Sequence, residues 1–219
     1  MSRSTWLVAT CVALSLAAAD VRSEVAVTSD ENRDVTLHAV ATGVGPVRRG
    51  GESIPLTVRM ADGHLRIDFK TPRGEDGYLL SRDGGTQAWL VSVPGQLAMP
   101  MPAPAWATFR LDPDAPCAAM RARCEPAQVD VLANRLVRAW RYRGADGRGP
   151  DGTDSGTLWV DPRTGLVLGF RGRVAGRDDT RQLKVVSVEH GALDDALFTL
   201  PSTLEQVDAD ARRQASRRE

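Results

Sequence analysis

The chain has no surplus of positive or negative charge, and this balance argues against partners that are bound through a strong net charge. Its 28 basic and 28 acidic residues give the 219-residue chain a formal net charge of zero. A balanced charge provides no electrostatic argument for nucleic acid or an anionic membrane surface, so we predict no nucleic-acid partner. Lysine is nearly absent, because all basic residues except Lys70 and Lys184 are arginine. We interpret this bias first as a property of a GC-rich genome.

Motifs that carry catalysis are also missing. No serine stands in a G-x-S-x-G turn, and no H-E-x-x-H sequence occurs. The three histidines, His38, His64 and His190, lie on separate predicted strands, and the carboxylates are scattered without a pair suited to acid–base work. We therefore predict that the protein is not an enzyme, with no catalytic residues and no cofactor.

The apolar run near the N-terminus is too short to cross a membrane. Leu7–Ala19 has thirteen uncharged residues, whereas a spanning helix needs about twenty. Arg3 precedes the run and small residues end it before Asp20, which is typical of a cleaved secretory signal peptide over residues 1–19. We predict an exported protein that does not span the membrane, and Cys11 leaves lipidation open.

Cleavage after residue 19 leaves only two cysteines, Cys117 and Cys124. An even number of cysteines in an exported chain predicts one disulfide. Seven residues of straight helix rise about 10.5 Å, whereas bridged Cα atoms lie within about 7 Å. The pair therefore predicts a compact turn over residues 117–124 in place of a continuous helix.

Alternation of apolar and polar residues recurs from residue 35 to 190 and predicts β-strands. Turn signals such as Ala61-Asp62-Gly63 separate successive runs, as in antiparallel hairpins. No stretch of ten or more residues has a convincing helical stripe. We predict a mainly β single domain over residues 20–207, followed by a polar tail over 208–219.

The glycine-rich loop over residues 144–156 contains three aspartates, and calcium binding is one interpretation of it. The loop holds Asp146, Asp151 and Asp154, but it lacks the bidentate glutamate of the twelve-residue calcium-binding loop. We therefore predict a hairpin loop and no metal site.

The segment QLAMPMPAPAW, residues 96–106, is almost entirely apolar and carries two methionines, three prolines and a tryptophan. An open sheet of this predicted length must curl, and its apolar concave face must be covered. A proline-broken apolar segment that follows a strand is suited to lie across the mouth or along the edge of such a sheet. We predict that it forms part of a lid.

The C-terminal sequence resembles a known superfamily. SGTLWVDPRTGLVLGF (155–170), followed by a strand and LDDALFTLP (193–201), is similar to the closing strands of LolA/LolB-like lipoprotein carriers. The resemblance implies a periplasmic protein with a curled antiparallel sheet forming a half-open β-barrel, an apolar cavity, and a short helical or loop lid. No amphipathic helix precedes the first strand here, so we expect any helical part of the lid over residues 116–135.

Two functions from different classes follow. The first is binding of a hydrophobic ligand, such as a lipid or a lipoprotein acyl chain, inside the half-barrel, as in an envelope carrier or chaperone. The second is an envelope stress-sensing or protein-interaction module that binds a protein partner without lipid. The residues we predict to line the ligand cavity are Trp89, Leu97, Met99, Met101, Trp106 and Trp140.

Overall fold

A computed structural model describes residues 34–43, 53–71, 73–82, 87–101 and 109–207. The predicted signal peptide, Trp106 and the predicted polar tail lie outside these residues. The described chain forms one sheet of twelve strands, β1 to β12 in chain order. The strands are Val35–Thr42, Ser53–Ala61, His64–Lys70, Asp76–Arg82, Gln87–Ser92, Leu97–Met101, Arg123–Leu132, Arg135–Arg143, Ser155–Val160, Val167–Arg173, Thr180–His190 and Glu205–Gln206.

The sheet is open and curled. Its order is β12-β6-β5-β4-β3-β2-β1-β11-β10-β9-β8-β7, and the two end strands, β12 and β7, do not pair with each other. The curl is visible where β8 approaches β11 without being its neighbour in the sheet, since Arg135 Nη2 lies 2.8 Å from His190 Nε2. The predicted fold class is therefore confirmed. One detail differs from the prediction, because the short β12 pairs in parallel with β6.

The inner face of the sheet holds the main core, a cluster of buried apolar side chains contributed by the strands β1 to β4 and β8 to β11. Alternation places most of these side chains on one face, as the sequence pattern predicts. The turns over residues 112–122 cover part of this face, and Leu111, Cys117 and Met120 are buried in the main core. A disulfide joins Cys117 to Cys124, with 5.8 Å between the Cα atoms, so the predicted bond and turn are present.

The expectation of a helical lid over residues 116–135 is wrong. Residues 112–122 form turns without a regular helix, and β7 and β8 occupy most of the remainder. The side chains of β7 alternate only weakly in burial, which hid this strand from the sequence pattern. In the described part of the chain, no helix has the length and hydropathy of a membrane-crossing segment.

An outer cluster covers the opposite face of β4, β5 and β6. Leu80, Val91 and Ala98 pack there beneath the C-terminal segment over residues 193–204, which includes the 3-10 helix Asp195–Phe198. Arg66 donates a hydrogen bond to the carbonyl oxygen of Leu197 at 3.0 Å, which ties this segment to β3. The second of the two segments that carried the family resemblance, residues 193–201, therefore packs against the outer face of the sheet.

Candidate functional site

The inner face contains an apolar row that runs across the sheet from β1 to β6. The strand register aligns Leu37, Val58, Ile67, Leu79, Leu90 and Met99 in this order. The first four are 0 to 2% exposed, whereas Leu90 and Met99 are only half-buried. The apolar surface therefore continues across two strands beyond the fully covered main core. We call the side chains of Leu90, Leu97 and Met99 the β5–β6 apolar strip.

The structure brings together three of the six predicted lining residues. Leu97, Met99 and Met101 alternate with the buried Ala98, which belongs to the outer cluster, so the three project from the inner face of β6. Met101 packs against the main core, whereas Leu97 and Met99 do not belong to it. Leu90 completes the strip on the neighbouring strand β5. In the sequence, its position between Trp89 and Val91 in an alternating strand indicates that it lies on the opposite face from them.

The two predicted lining tryptophans that the structure describes, Trp89 and Trp140, do not join this strip. Trp89 pairs with Pro100 and packs in the outer cluster, on the opposite face of β5 from Leu90. Trp140 pairs with Leu158 on β9 and packs against the main core. Trp140 lies on β8, which is next to the end strand β7. The strip's strand β6 is next to β12, at the opposite end of the sheet.

Two buried hydroxyl side chains, Tyr142 and Thr153, form a hydrogen-bonded pair beside β8, β9 and β10. Thr153 Oγ1 donates to the carbonyl oxygen of Pro150 at 2.7 Å, and it lies 2.6 Å from the Tyr142 hydroxyl. Because the threonine hydrogen is directed at Pro150, Tyr142 is the donor of the second bond. Burial raises the pKa of Tyr142 to about 12, and the nearby charge of Asp154 reinforces the rise.

Tyr142 should therefore make stability fall in alkaline solution. The folded protein keeps its tyrosine proton between the unfolded pKa of 10.0 and the folded value of about 12. Stabilisation is complete below pH 10 and is lost as the pH rises from 10 towards 12, by roughly 2–3 kcal/mol. Urea unfolding between pH 8 and about 12 measures this loss.

Tyr142→Phe is the control for this prediction. Burial also raises the pKa of Tyr78, so the wild type and the variant share that contribution. The variant should lose less stability across the alkaline range, and an equal loss in both proteins would contradict the role of Tyr142.

The three aspartates of the glycine-rich loop interact with separate groups. Asp146 pairs with Arg148 at 3.2 Å, and Asp151 lies 3.4 Å from Arg181. Asp154 accepts hydrogen bonds from the backbone amides of residues 147 and 175. The described part of the chain has no group of three metal-ligating side chains.

No family model matches the chain, and no curated protein matches its sequence. Solved structures do match. An uncharacterized conserved protein from Thermus thermophilus has a TM-score of 0.54 at 13% identity, over 81% of this chain and 91% of that chain. The MucA/MucB complex of Pseudomonas aeruginosa gives 0.48 at 12% identity, over 81% of this chain and 60% of that chain. A LolA superfamily protein from Nitrosomonas europaea gives 0.38 at 11% identity, over 77% and 91%.

The likeness is one of fold. LolA superfamily proteins are among the matching structures, as the resemblance of the C-terminal sequence predicted. This chain spans less than two thirds of the matched chain in the MucA/MucB complex. At these identities the comparisons concern the shape of the sheet, and function has to be argued from the residues of this chain.

Proposed function

We propose that this protein binds a hydrophobic ligand, a lipid or a lipoprotein acyl chain, on its inner face and catalyses no reaction. The observation that carries the proposal is the β5–β6 apolar strip. The row from Leu37 to Leu79 is fully buried, and its continuation at Leu90 and Met99 is half-buried. An acyl chain laid along this strip removes apolar surface from water, which is worth about 25 cal/mol per Å².

The chemistry of the strip suits a flexible apolar ligand. Met99 is unbranched and its thioether is polarizable, so its side chain adapts to irregular acyl chains. Leu90 and Leu97 present aliphatic groups on either side, on β5 and at the start of β6. The strip requires no charged group for binding, in keeping with the neutral chain.

The proposed compartment is the periplasm. The predicted signal peptide over residues 1–19 supports export, although it lies outside the described residues. The disulfide between Cys117 and Cys124 supports an oxidising compartment, because such bonds persist there and are rare in the cytosol. An envelope carrier or chaperone for lipid is the role that combines these features with the strip.

Met99→Asp is expected to weaken binding of a fluorescent fatty acid at least tenfold. In the free protein the half-buried carboxylate reaches water, so the fold should survive. In the complex it would be desolvated against the acyl chain unless it took up a proton. A cost of about 1.4 kcal/mol is enough for the tenfold loss. Fluorescence titration measures affinity, and urea unfolding checks the fold.

Val131→Asp is the matched control, because it introduces the same charge at a valine that is 58% exposed on β7. It should bind the fatty acid as the wild type does. Met101 is unsuitable for this test, since it packs against the main core and its loss would destabilise the fold. Equal affinity of the Met99 and Val131 variants, or no binding by the wild type, would overturn the proposal.

A second candidate function is binding of an envelope protein partner. It is favoured by the β7–β8 hairpin, where Val129, Val131 and Leu136 are 66%, 58% and 67% exposed. Within the described residues β7 ends the sheet, so its outer edge can accept a strand from another chain. The same variants separate the two functions, because Val131→Asp would impair this interaction and Met99→Asp would not.

A further inference from the structure

Two arginine pairs flank a hydroxyl pair on the outer face of β8, β9 and β10. The register aligns Arg141 with Thr157 and Arg171, and in the next row it aligns Arg143 with Ser155 and Arg173. Alternation along each strand exposes the arginines and buries the residue between them. We call the four side chains of Arg141, Arg143, Arg171 and Arg173 the arginine groove.

The groove forms an open pocket of about 330 Å³, and Ser155 and Thr157 line it between the arginines. Adjacent strands lie about 4.8 Å apart and alternate residues about 6.8 Å apart. The four arginine Cα atoms therefore lie at the corners of a rectangle of roughly 10 by 7 Å, with the two hydroxyl residues on its midline. Guanidinium groups on both sides can thus reach one ligand between them.

The positive charge of the groove is largely uncompensated. Arg143 lies 3.8 Å from Glu125, and both side chains are mostly exposed. No carboxylate among the described residues forms an ion pair with Arg141, Arg171 or Arg173. Such a concentration of cations is unfavourable unless an anion offsets their mutual repulsion. The zero net charge of the whole chain conceals this local concentration of positive charge.

The floor of the groove is closely packed. Tyr142 lies beneath it, and a Cβ atom added at Gly172 would stand 2.4 Å from the Tyr142 hydroxyl. The buried hydrogen bond to Thr153 fixes this hydroxyl. This packing holds β8, β9 and β10 in the register that places the arginine pair of β8 opposite the arginine pair of β10, across β9.

We propose that the arginine groove binds a phosphate-bearing ligand, as a phosphate monoester or a diphosphate. Guanidinium groups bind phosphate oxygens bidentately, and serine and threonine hydroxyls add neutral donors. Four cations around one small cavity favour a ligand that carries several negative charges in a small volume. The site lies on the outer face of β8–β10, so it is separate from the β5–β6 apolar strip and independent of the proposed function.

Isothermal titration calorimetry with sodium pyrophosphate tests the proposal, and vesicle flotation identifies the source of the phosphate. The vesicles are phosphatidylcholine with or without phosphatidic acid, which has a phosphate monoester headgroup. Pyrophosphate binding without flotation indicates a soluble ligand, and flotation only with phosphatidic acid indicates a lipid headgroup. Binding to either probe should weaken as salt is added.

The decisive variant is Arg141→Gln with Arg171→Gln, which removes two exposed cations from opposite sides of Thr157. Its affinity should fall at least tenfold. Arg73→Gln with Arg163→Gln is the matched control, because it makes the same charge change at two exposed turn residues outside the groove. No binding of either probe by the wild type, or equal losses in the two double variants, would overturn the proposal.

Discussion

Gly156→Ala is expected to destabilise the protein by about 3 kcal/mol or more. A Cβ atom at this position would lie 2.2 Å from the carbonyl oxygen of Arg171 and 2.7 Å from the Cα atom of Gly172. Both contacts are with the backbone of β10, so no side-chain rotation relieves them. Overpacking in a well-packed region costs about 1–3 kcal/mol, and more when the backbone has to move. Urea unfolding measures the loss.

Gly191→Ala is the matched control for this substitution. A Cβ atom at Gly191 meets nothing within 4 Å, so the change in stability should stay within about 0.5 kcal/mol. Similar unfolding midpoints for the two variants would show that β9 and β10 do not approach each other this closely. The Gly156 variant should also weaken the arginine groove, because separating the strands moves Arg171 away from Arg141.

Arg181→Met is expected to cost about 3–5 kcal/mol, because it leaves a buried carboxylate without its cation. The side chains of Arg181 and Asp151 are only 3% and 12% exposed, and Nη1 lies 3.4 Å from the Asp151 carboxylate. Arg181 also donates a hydrogen bond to the backbone carbonyl of Asp151. The Asp179 carboxylate lies farther away, at 3.9 Å from Arg181 Nε, and its side chain is 44% exposed. Thermal and urea unfolding should both show the loss.

A second substitution should recover most of this stability. Asp151→Asn removes the buried charge, and asparagine tolerates the positive φ of 52° at this position. The double variant should therefore be more stable than Arg181→Met alone. Arg163→Met, at an exposed arginine, is the control and should change stability by less than about 0.5 kcal/mol. A double variant less stable than the single one would show that the charge of Asp151 is not the cause.

Local sequence was sufficient for most of the strands. In β3, Leu65 and Ile67 alternate with polar residues, and a glycine turn precedes the strand, so hydrophobic period and turn chemistry agree. The cysteine pair was also predictable, because a bond across seven residues constrains only the backbone between them. β7 escaped prediction because Val129 and Val131 are exposed near the edge of the sheet, where burial does not impose a clear alternation.

The candidate sites depended on register. Trp89 and Met99 appear equivalent in the sequence, yet the hairpin between β5 and β6 places them on opposite faces, because Leu90 pairs with Met99 and Trp89 pairs with Pro100. A shift of one residue would reverse this assignment. The R-x-R pairs at 141–143 and 171–173 were visible in the sequence, but arginine bias offered a simpler explanation for them.

The sequence by itself determined that this chain forms a mainly β structure with a disulfide-closed turn, since alternation, glycine turns and cysteine spacing act over a few residues. Only the tertiary structure decided where the core ends at Leu90 and Met99, and which face the segment over 193–204 covers. It also placed β9 between the arginines of β8, Arg141 and Arg143, and those of β10, Arg171 and Arg173. These features depend on pairings between residues far apart in the chain. Their geometry is set by how the whole sheet packs and curls, which no local pattern encodes.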